Sequence, residues 1–144
     1  MTGYVVDAGV VVKWLVKEKW SDEAASLLET EATLIAPELL FAEVCNALWA
    51  MHRRGDIGGE DLADVTDALK AAPVEVPLSK RQLAASSARL ALDLAHPVYD
   101  CFYLALAIQE QYPVVMADAR FHAKVRGHPY LSERIAHVAA LDLD

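Results

Sequence analysis

The feature that most constrains the fold is an alternation of short apolar runs rich in β-branched residues with longer runs of helical periodicity. The short runs predict strands at Tyr4 to Val6, Thr33 to Ala36 and Val114 to Ala117, and a last strand at Ile135 to Leu141. Helical runs separate these strands, as in βαβ units. The sequence therefore predicts an α/β fold with a mainly parallel sheet.

Capping residues and helix breakers mark the ends of the predicted helices. Ser21 and Ser79 are expected N-caps, whereas Gly55 and the pair His96-Pro97 are expected to stop helices. The predicted helices run from Gly9 to Val16, Ser21 to near Ala32, Pro37 to Arg54, Asp61 to Ala71, Ser79 to about Ala95 and Tyr99 to Gln111, with a short one from Ala119 and an extended segment from Val74 to Pro77.

Length and composition limit the class of protein. The 144 residues predict one domain over 1–144, and no apolar stretch approaches the roughly 20 residues of a membrane span. The N-terminus does not read as a secretory signal. Cys45 and Cys101 lie in apolar helical runs, which favours reduced core thiols over a disulfide. We therefore expect a cytoplasmic protein without a membrane segment.

Four acidic residues lie beside or inside apolar runs, where carboxylates are least expected: Asp7, Glu43, Asp100 and Asp118. Burying an ionised carboxylate is costly unless a positive charge accompanies it. No Lys or Arg lies within three residues of Asp7, Glu43 or Asp100. The pattern therefore indicates a site for a divalent cation.

Each acid also has an ordinary structural explanation. Asp7 and Asp118 could simply cap helices, and Asp100 could be a favourable acid in the first turn after Pro97. Capping cannot explain Glu43, which lies in mid-helix with Asn46 one turn later, although a solvent-facing Glu43 remains an alternative. Asp7 and Asp118 both follow strands, at the edge where open α/β sheets bind ligands.

The net charge of −8 argues against a nucleic-acid protein, because such proteins usually carry a basic face. If the four acids are left out of the count, 17 acidic and 13 basic residues remain, a net charge of −4. Two bound Mg²⁺ ions would neutralise the charge of the four acids. The basic residues form clusters that could border an acidic centre or be solvated faces: Lys13, Lys17 and Lys19; Arg53 and Arg54; Lys80 and Arg81; Arg120, Lys124 and Arg126.

Four motifs are spread over nearly the whole length of the chain: VVDAGVVVKWL, APELLFAEVCNAL, HPVYDCFYLALA and VVMADARF. Through them the chain resembles the PIN-domain family of the VapC toxin type. This resemblance implies a three-layer α/β/α fold and an acidic site at Asp7, Glu43, Asp100 and Asp118. It also implies an Mg²⁺- or Mn²⁺-dependent endoribonuclease that acts as a homodimer and is inhibited by a cognate antitoxin.

Two residues depart from the family pattern. Gly9 replaces a small hydroxyl or amide residue two places after Asp7, and Met116 replaces Thr or Ser two places before Asp118. Loss of such groups around a metal commonly costs ~10–100-fold in affinity or activity. A rival interpretation is therefore a catalytically weak or inactive PIN-like module that acts through a protein partner. A phosphoacceptor or phosphatase-like domain fits less well, because Glu43 and Asp100 lie within helices.

The chemistry follows from the ligand type. Oxygen ligands without a His or Cys cluster suit Mg²⁺ or Mn²⁺, and the five histidines are expected at surfaces or turns. Our hypothesis is that Asp7 and Asp100 hold the principal metal, that Glu43 and Asp118 complete it, and that activated water attacks phosphorus to leave a 5′-phosphate.

Other residues receive supporting roles in this hypothesis. Asn46 is expected beside the acids, and the candidates for the RNA backbone are Lys13, Arg53, Arg120 and Lys124. Trp14, Trp20 and Trp49 are expected to be packing groups rather than base-stacking platforms.

Overall fold

The computed structural model describes residues 2–77 and 81–143. Its strands are β1 (Gly3–Val6), β2 (Thr33–Ile35), β3 (Val114–Met116) and β4 (Ile135–His137). They form one sheet in the order β2-β1-β3-β4, and every neighbouring pair is parallel. The predicted parallel sheet is therefore confirmed, and β1 and β3 are its central strands.

Seven helices within the described residues complete a three-layer α/β/α sandwich. They are α1 (Ala8–Leu15), α2 (Ser21–Ser26), α3 (Leu39–Arg53), α4 (Gly59–Leu69), α5 (Gln82–Leu94), α6 (Val98–Glu110) and α7 (Ala119–Arg126). Short 3-10 turns follow α2 at Leu27–Glu29 and flank β4 at Ser132–Arg134 and Val138–Ala140.

The core is built around the two central strands and α6. Strands covered by helices on both faces read as continuous apolar runs, and β3 is fully buried over its three residues. In α6 the fully or almost fully buried residues are Cys101, Tyr103, Leu104, Ala105, Leu106 and Ala107. Each large buried side chain contributes about 1.5–3 kcal/mol to folding, which holds α6 firmly against the sheet.

Several predicted boundaries differ from those observed. Ser21 does not cap α2, because Trp20 occupies the N-cap and the Ser21 hydroxyl bridges the preceding loop. The Ser21 Oγ accepts from Glu18 N and donates to Val16 O. The helix ends at Ser26 rather than near Ala32, and β4 ends at His137 rather than Leu141. The predicted cap at Ser79 lies outside the described residues.

Other local predictions are confirmed. Gly55 lies just beyond α3 with a φ of +84°, a conformation that side-chain-bearing residues rarely adopt. Glu75, in the predicted extended segment, pairs in parallel with Ile35 at the free side of β2.

Two predicted core positions on α3 are wrong. Cys45 is exposed, and Trp49 is 50% exposed with the Arg53 guanidinium 5.3 Å from its ring centroid. Apolar periodicity alone did not reveal that this face of α3 lacks a covering element.

Within the described residues, no single helix is both long and apolar enough to span a membrane. Only α5 and α6 taken together, with a bend of 115° between them, reach that length and composition.

Candidate metal centre

Two aspartates follow the central strands at the carboxyl edge of the sheet. Asp7 comes directly after β1, and Asp118 lies two residues beyond β3. Each caps the next helix: Asp7 Oδ1 accepts from Val10 N at 3.0 Å, and Asp118 Oδ1 accepts from Arg120 N at 2.9 Å and Phe121 N at 3.2 Å. The expected capping role is therefore real, and it places both carboxylates at one edge.

Asp7 is a buried carboxylate, only 9% exposed. Burial raises its pKa from 3.8 to about 7, and the negative charges of Asp100 and Glu43 act in the same direction. The Val10 N–H and the more distant Lys13 ammonium oppose the increase. Asp7 therefore lies in a site that disfavours its own negative charge.

Glu43 projects from the middle of α3 and is half-buried. Its Oε1 accepts a 2.6 Å hydrogen bond from the hydroxyl of Tyr103, a buried residue of α6. Burial raises the pKa of Glu43, the Tyr103 hydrogen bond opposes this, and the Asp100 carboxylate adds to it. Tyr103 of α6 therefore holds Glu43 in place, and the negative charge of Asp100 acts on Glu43 as it does on Asp7.

Asp100 lies in the first turn of α6 and links the other acids. Its charge raises the pKa of both Asp7 and Glu43. One oxygen of Asp100, one of Asp118 and one ring nitrogen of His96 lie within 4.8 Å of one another. The structure therefore brings Asp7, Glu43 and Asp100 into one electrostatic group, and Asp118 adjoins that group through Asp100.

His96 lies in the turn between α5 and α6, as predicted, but its side chain is enclosed and contacts one of the acids. Its side chain is 7% exposed, and its Nε2 lies 2.7 Å from Asp100 Oδ2. The two residues are four apart, a spacing that brings side chains together on a helix. His96 precedes the helix, however, so that helical spacing did not predict the contact.

Tyr103 is a second residue that the sequence interpretation did not select. It lies three residues after Asp100, in the mainly apolar stretch of α6 that is buried against the core. That spacing places the two side chains on neighbouring positions of one face. The buried phenol could have been found by asking which donor would accompany Glu43.

A surface groove of about 450 Å³ opens beside Glu43. Asn46 and Tyr99 line it with Glu43, together with Leu39, Ala42 and Ala47. Asn46 is exposed, and its spacing of three residues places it beside Glu43 on the same face of α3. The groove gives Glu43 access from solvent.

The four basic candidates for the RNA backbone have different surroundings. The Lys13 side chain is 10% exposed, and its ammonium lies 2.9 Å from Glu18. Lys124 donates to the Ala95 carbonyl at 2.6 Å. Arg53 and Arg120 are exposed. Only the two arginines therefore present accessible charge.

The two departures from the expected pattern lie close to the strand ends. A Cβ built on Gly9 would be 3.5 Å from Asp7 Oδ1, an ordinary contact distance. Met116 is fully buried in β3. The space beside Asp7 could therefore accept a hydroxyl that the chain lacks, whereas the Met116 side chain is enclosed by the core.

The fold is similar to several solved structures. PAE2754 from Pyrobaculum aerophilum matches with a TM-score of 0.69 and 24% identity, over 96% of this chain and 90% of that one. A toxin-antitoxin complex from Klebsiella pneumoniae matches with a TM-score of 0.66 and 10% identity, over 96% of this chain and 100% of that one. VapBC2 from Rickettsia felis, bound to a promoter DNA fragment, matches with a TM-score of 0.64 and 14% identity, over 93% of this chain and 97% of that one.

Sequence comparison gives the family. No curated protein sequence matches the chain. The PIN domain family model matches residues 4–127, which include all four acids. The sheet order, the acids at its carboxyl edge and this match together lead to one conclusion: the chain belongs to the PIN domain family.

Proposed function

We propose that this protein is a divalent-metal-dependent endoribonuclease and the toxin of a type II toxin-antitoxin pair. The observation that carries the proposal is the group of three carboxylates, Asp7, Glu43 and Asp100. Asp7 is buried, and no Lys or Arg of the described residues forms a salt bridge with any of the three. Three mutually repelling acids at the edge where α/β sheets bind ligands favour a bound cation.

The donor set fits Mg²⁺ or Mn²⁺. Asp7 and Asp100 would hold the principal ion, and Glu43 and Asp118 would complete it with oxygen ligands, which hard cations prefer. When bound, the ion supplies charge stabilisation and a more acidic water for hydrolysis of a phosphodiester. Val10 N–H and the Tyr103 hydroxyl keep Asp7 and Glu43 oriented.

The groove beside Glu43 provides a path for a single RNA strand. Tyr99 is 60% exposed on its wall, and exposed aromatic rings stack with unpaired bases. Arg53 and Arg120 would contact phosphates from solvent, whereas Lys13 and Lys124 have partners that limit their reach. Asn46, on the groove wall, would contact the substrate or water beside Glu43.

Partners and assembly follow the same proposal. Two structures with this fold come from toxin-antitoxin assemblies, which supports a cognate antitoxin for this chain. We propose one PIN-like domain over residues 1–144, a homodimer and a cytoplasmic location. Light scattering of the purified protein at micromolar concentration tests the dimer, and a monomer would contradict it.

The deciding experiment is cleavage of total cellular RNA by the purified protein. Discrete fragments are expected with Mg²⁺ or Mn²⁺, none with chelator, and none with Asp7→Asn or Asp100→Asn. Asp93→Asn, which changes an exposed acid of α5, is the matched control and should cleave normally. If wild type binds metal but behaves like the two site variants, the enzyme proposal is wrong and a protein-binding role replaces it.

A further inference from the structure

His96 is an enclosed polar side chain, 7% exposed, that contacts Asp100. Its ring stacks at a tilt of 39° on Phe121, with the ring centroids 4.5 Å apart, and Phe121 is fully buried. Pro97 follows it, and Ala95 before it adopts a left-handed conformation with φ of +50°. The imidazole is therefore held between the end of α5, the start of α6 and the face of α7.

Both ring nitrogens of His96 have polar neighbours. Nε2 lies 2.7 Å from Asp100 Oδ2, and Nδ1 lies 3.3 Å from Lys124 Nζ. Lys124 is itself fixed, because its ammonium donates to the Ala95 carbonyl at 2.6 Å. Two hydrogen bonds thus connect Lys124 to Asp100 through one ring.

The chemistry of the two neighbours determines the tautomer. An ammonium group can only donate, so Nδ1 must accept from Lys124. The proton then lies on Nε2, where the Asp100 carboxylate accepts it. This arrangement holds Oδ2 of Asp100 and leaves Oδ1 for another partner.

We propose that His96 is a positioning residue that fixes the Asp100 carboxylate for metal binding, and that Lys124, together with Asp100, fixes the tautomer of His96. This inference rests on the proposed function, because it gives Asp100 a metal to hold. Partners that orient metal ligands in this way commonly contribute ~10–100-fold to metal affinity. His96 would therefore act on the metal only through Asp100.

Mn²⁺ titration of the purified chain, followed by calorimetry, tests the positioning role. We expect His96→Leu to bind Mn²⁺ ~10–100-fold more weakly than wild type. His96→Gln should retain most of the affinity, because its amide nitrogen can donate from about the place of Nε2. His128→Leu, which changes a histidine that accepts from Tyr130 N, is the control and should bind like wild type.

The outcomes separate the two proposals. Normal Mn²⁺ binding by His96→Leu, or equal losses in His96→Leu and His96→Gln, would overturn the positioning role alone. A wild type that binds no Mn²⁺ would overturn the proposed metal site and this inference with it. If His96→Leu does not fold, His96→Asn against His96→Gln decides, since the shorter amide cannot place its nitrogen at the same position.

The tautomer has its own measurement, which does not depend on metal. Side-chain ¹⁵N NMR of the metal-free protein should show a protonated Nε2 and an unprotonated Nδ1 at His96. Lys124→Met should weaken this preference without removing it, because the Asp100 carboxylate still accepts from Nε2–H, whereas Lys124→Arg should keep it in full. A protonated Nδ1 in the neutral wild-type ring would refute the role assigned to Lys124.

Discussion

Asp7 and Asp118 perform the same local task in opposite surroundings. Each follows a central strand and caps an eight-residue helix through Oδ1. Asp7 is buried among other acids, whereas Asp118 is exposed. The difference teaches that a cap explains why an aspartate stands after a strand but says nothing about the cost of its charge, which depends on the elements packed around it.

The largest expected effect is on the stability of the metal-free protein. The folded-state pKa of Asp7 lies above its unfolded value, so the folded state binds an extra proton between about pH 4 and pH 7. Wild-type stability should therefore fall as pH rises through that window, by about 4 kcal/mol in total. Asp7→Asn keeps the cap and should remove most of this fall, leaving the contribution of Glu43, whose pKa burial also raises, as measured by urea unfolding in chelator.

Asp118→Asn is the matched variant for that measurement. Because Asp118 is exposed, its replacement should change stability by no more than about 0.5 kcal/mol. Equal effects of the two Asn variants at pH 8 would contradict the contrast between the two sites.

The second effect is the response to metal. At a concentration 100 times its Kd, Mn²⁺ should stabilise wild type by about 2.7 kcal/mol. Asp7→Asn should lose this response, and Asp118→Asn should retain part of it, because Asp118 is exposed and lies at the border of the group, beside Asp100. The unfolding temperatures of the three proteins with and without Mn²⁺ measure this stabilisation. An Asp7→Asn variant that Mn²⁺ stabilises as much as wild type would contradict the prediction.

A smaller change should come from Gly9→Ser. A Cβ at residue 9 would lie at an ordinary contact distance of 3.5 Å from Asp7 Oδ1, so we expect the added hydroxyl to reach this oxygen and donate to it. We expect Mn²⁺ to bind up to about tenfold more tightly, the lower end of the usual contribution of such groups. Gly9→Ala is the control for helix propensity, and equal Mn²⁺ affinity of the two variants would show that the hydroxyl does nothing.

The smallest effect concerns the shared cap. At each site the Ala variant should be about 1 kcal/mol less stable than the Asn variant, because only Asn can accept from the helix N–H groups. Here the two sites should agree, in contrast to the first prediction. Urea unfolding of the four variants in chelator, at one pH, measures these differences. A difference between the Ala and Asn variants at only one site would show that the cap at the other site contributes nothing.

The sequence was informative where a local pattern determines structure. Apolar β-branched runs gave the strands, and Gly55 gave the end of α3. The four acids could be selected because each lies beside or inside an apolar run, where a charged side chain is unusual. The structure brings Asp7, Glu43 and Asp100 into one group, with Asp118 beside Asp100. Their roles as metal ligands stay a prediction.

The rest depended on contacts between distant segments. Nothing near His96 in sequence indicates that Phe121 and Lys124 will enclose it. Ser21 has the composition of an N-cap, but its hydroxyl is used by the loop before it. Cys45 and Trp49 follow an apolar pattern, yet they face solvent, since no element among residues 2–77 and 81–143 covers that side of α3.

The strand order has a consequence for synthesis on the ribosome. β1 is made first, but its neighbour on one side is β3, which begins at residue 114. Until then β1 has an open edge, and unpaired edges invite association with other chains. Asp7 and Asp118 are also separated by 111 positions, so the acidic edge cannot assemble before most of the chain has emerged. A chain cut short before β3 would carry the exposed strand without the complete site.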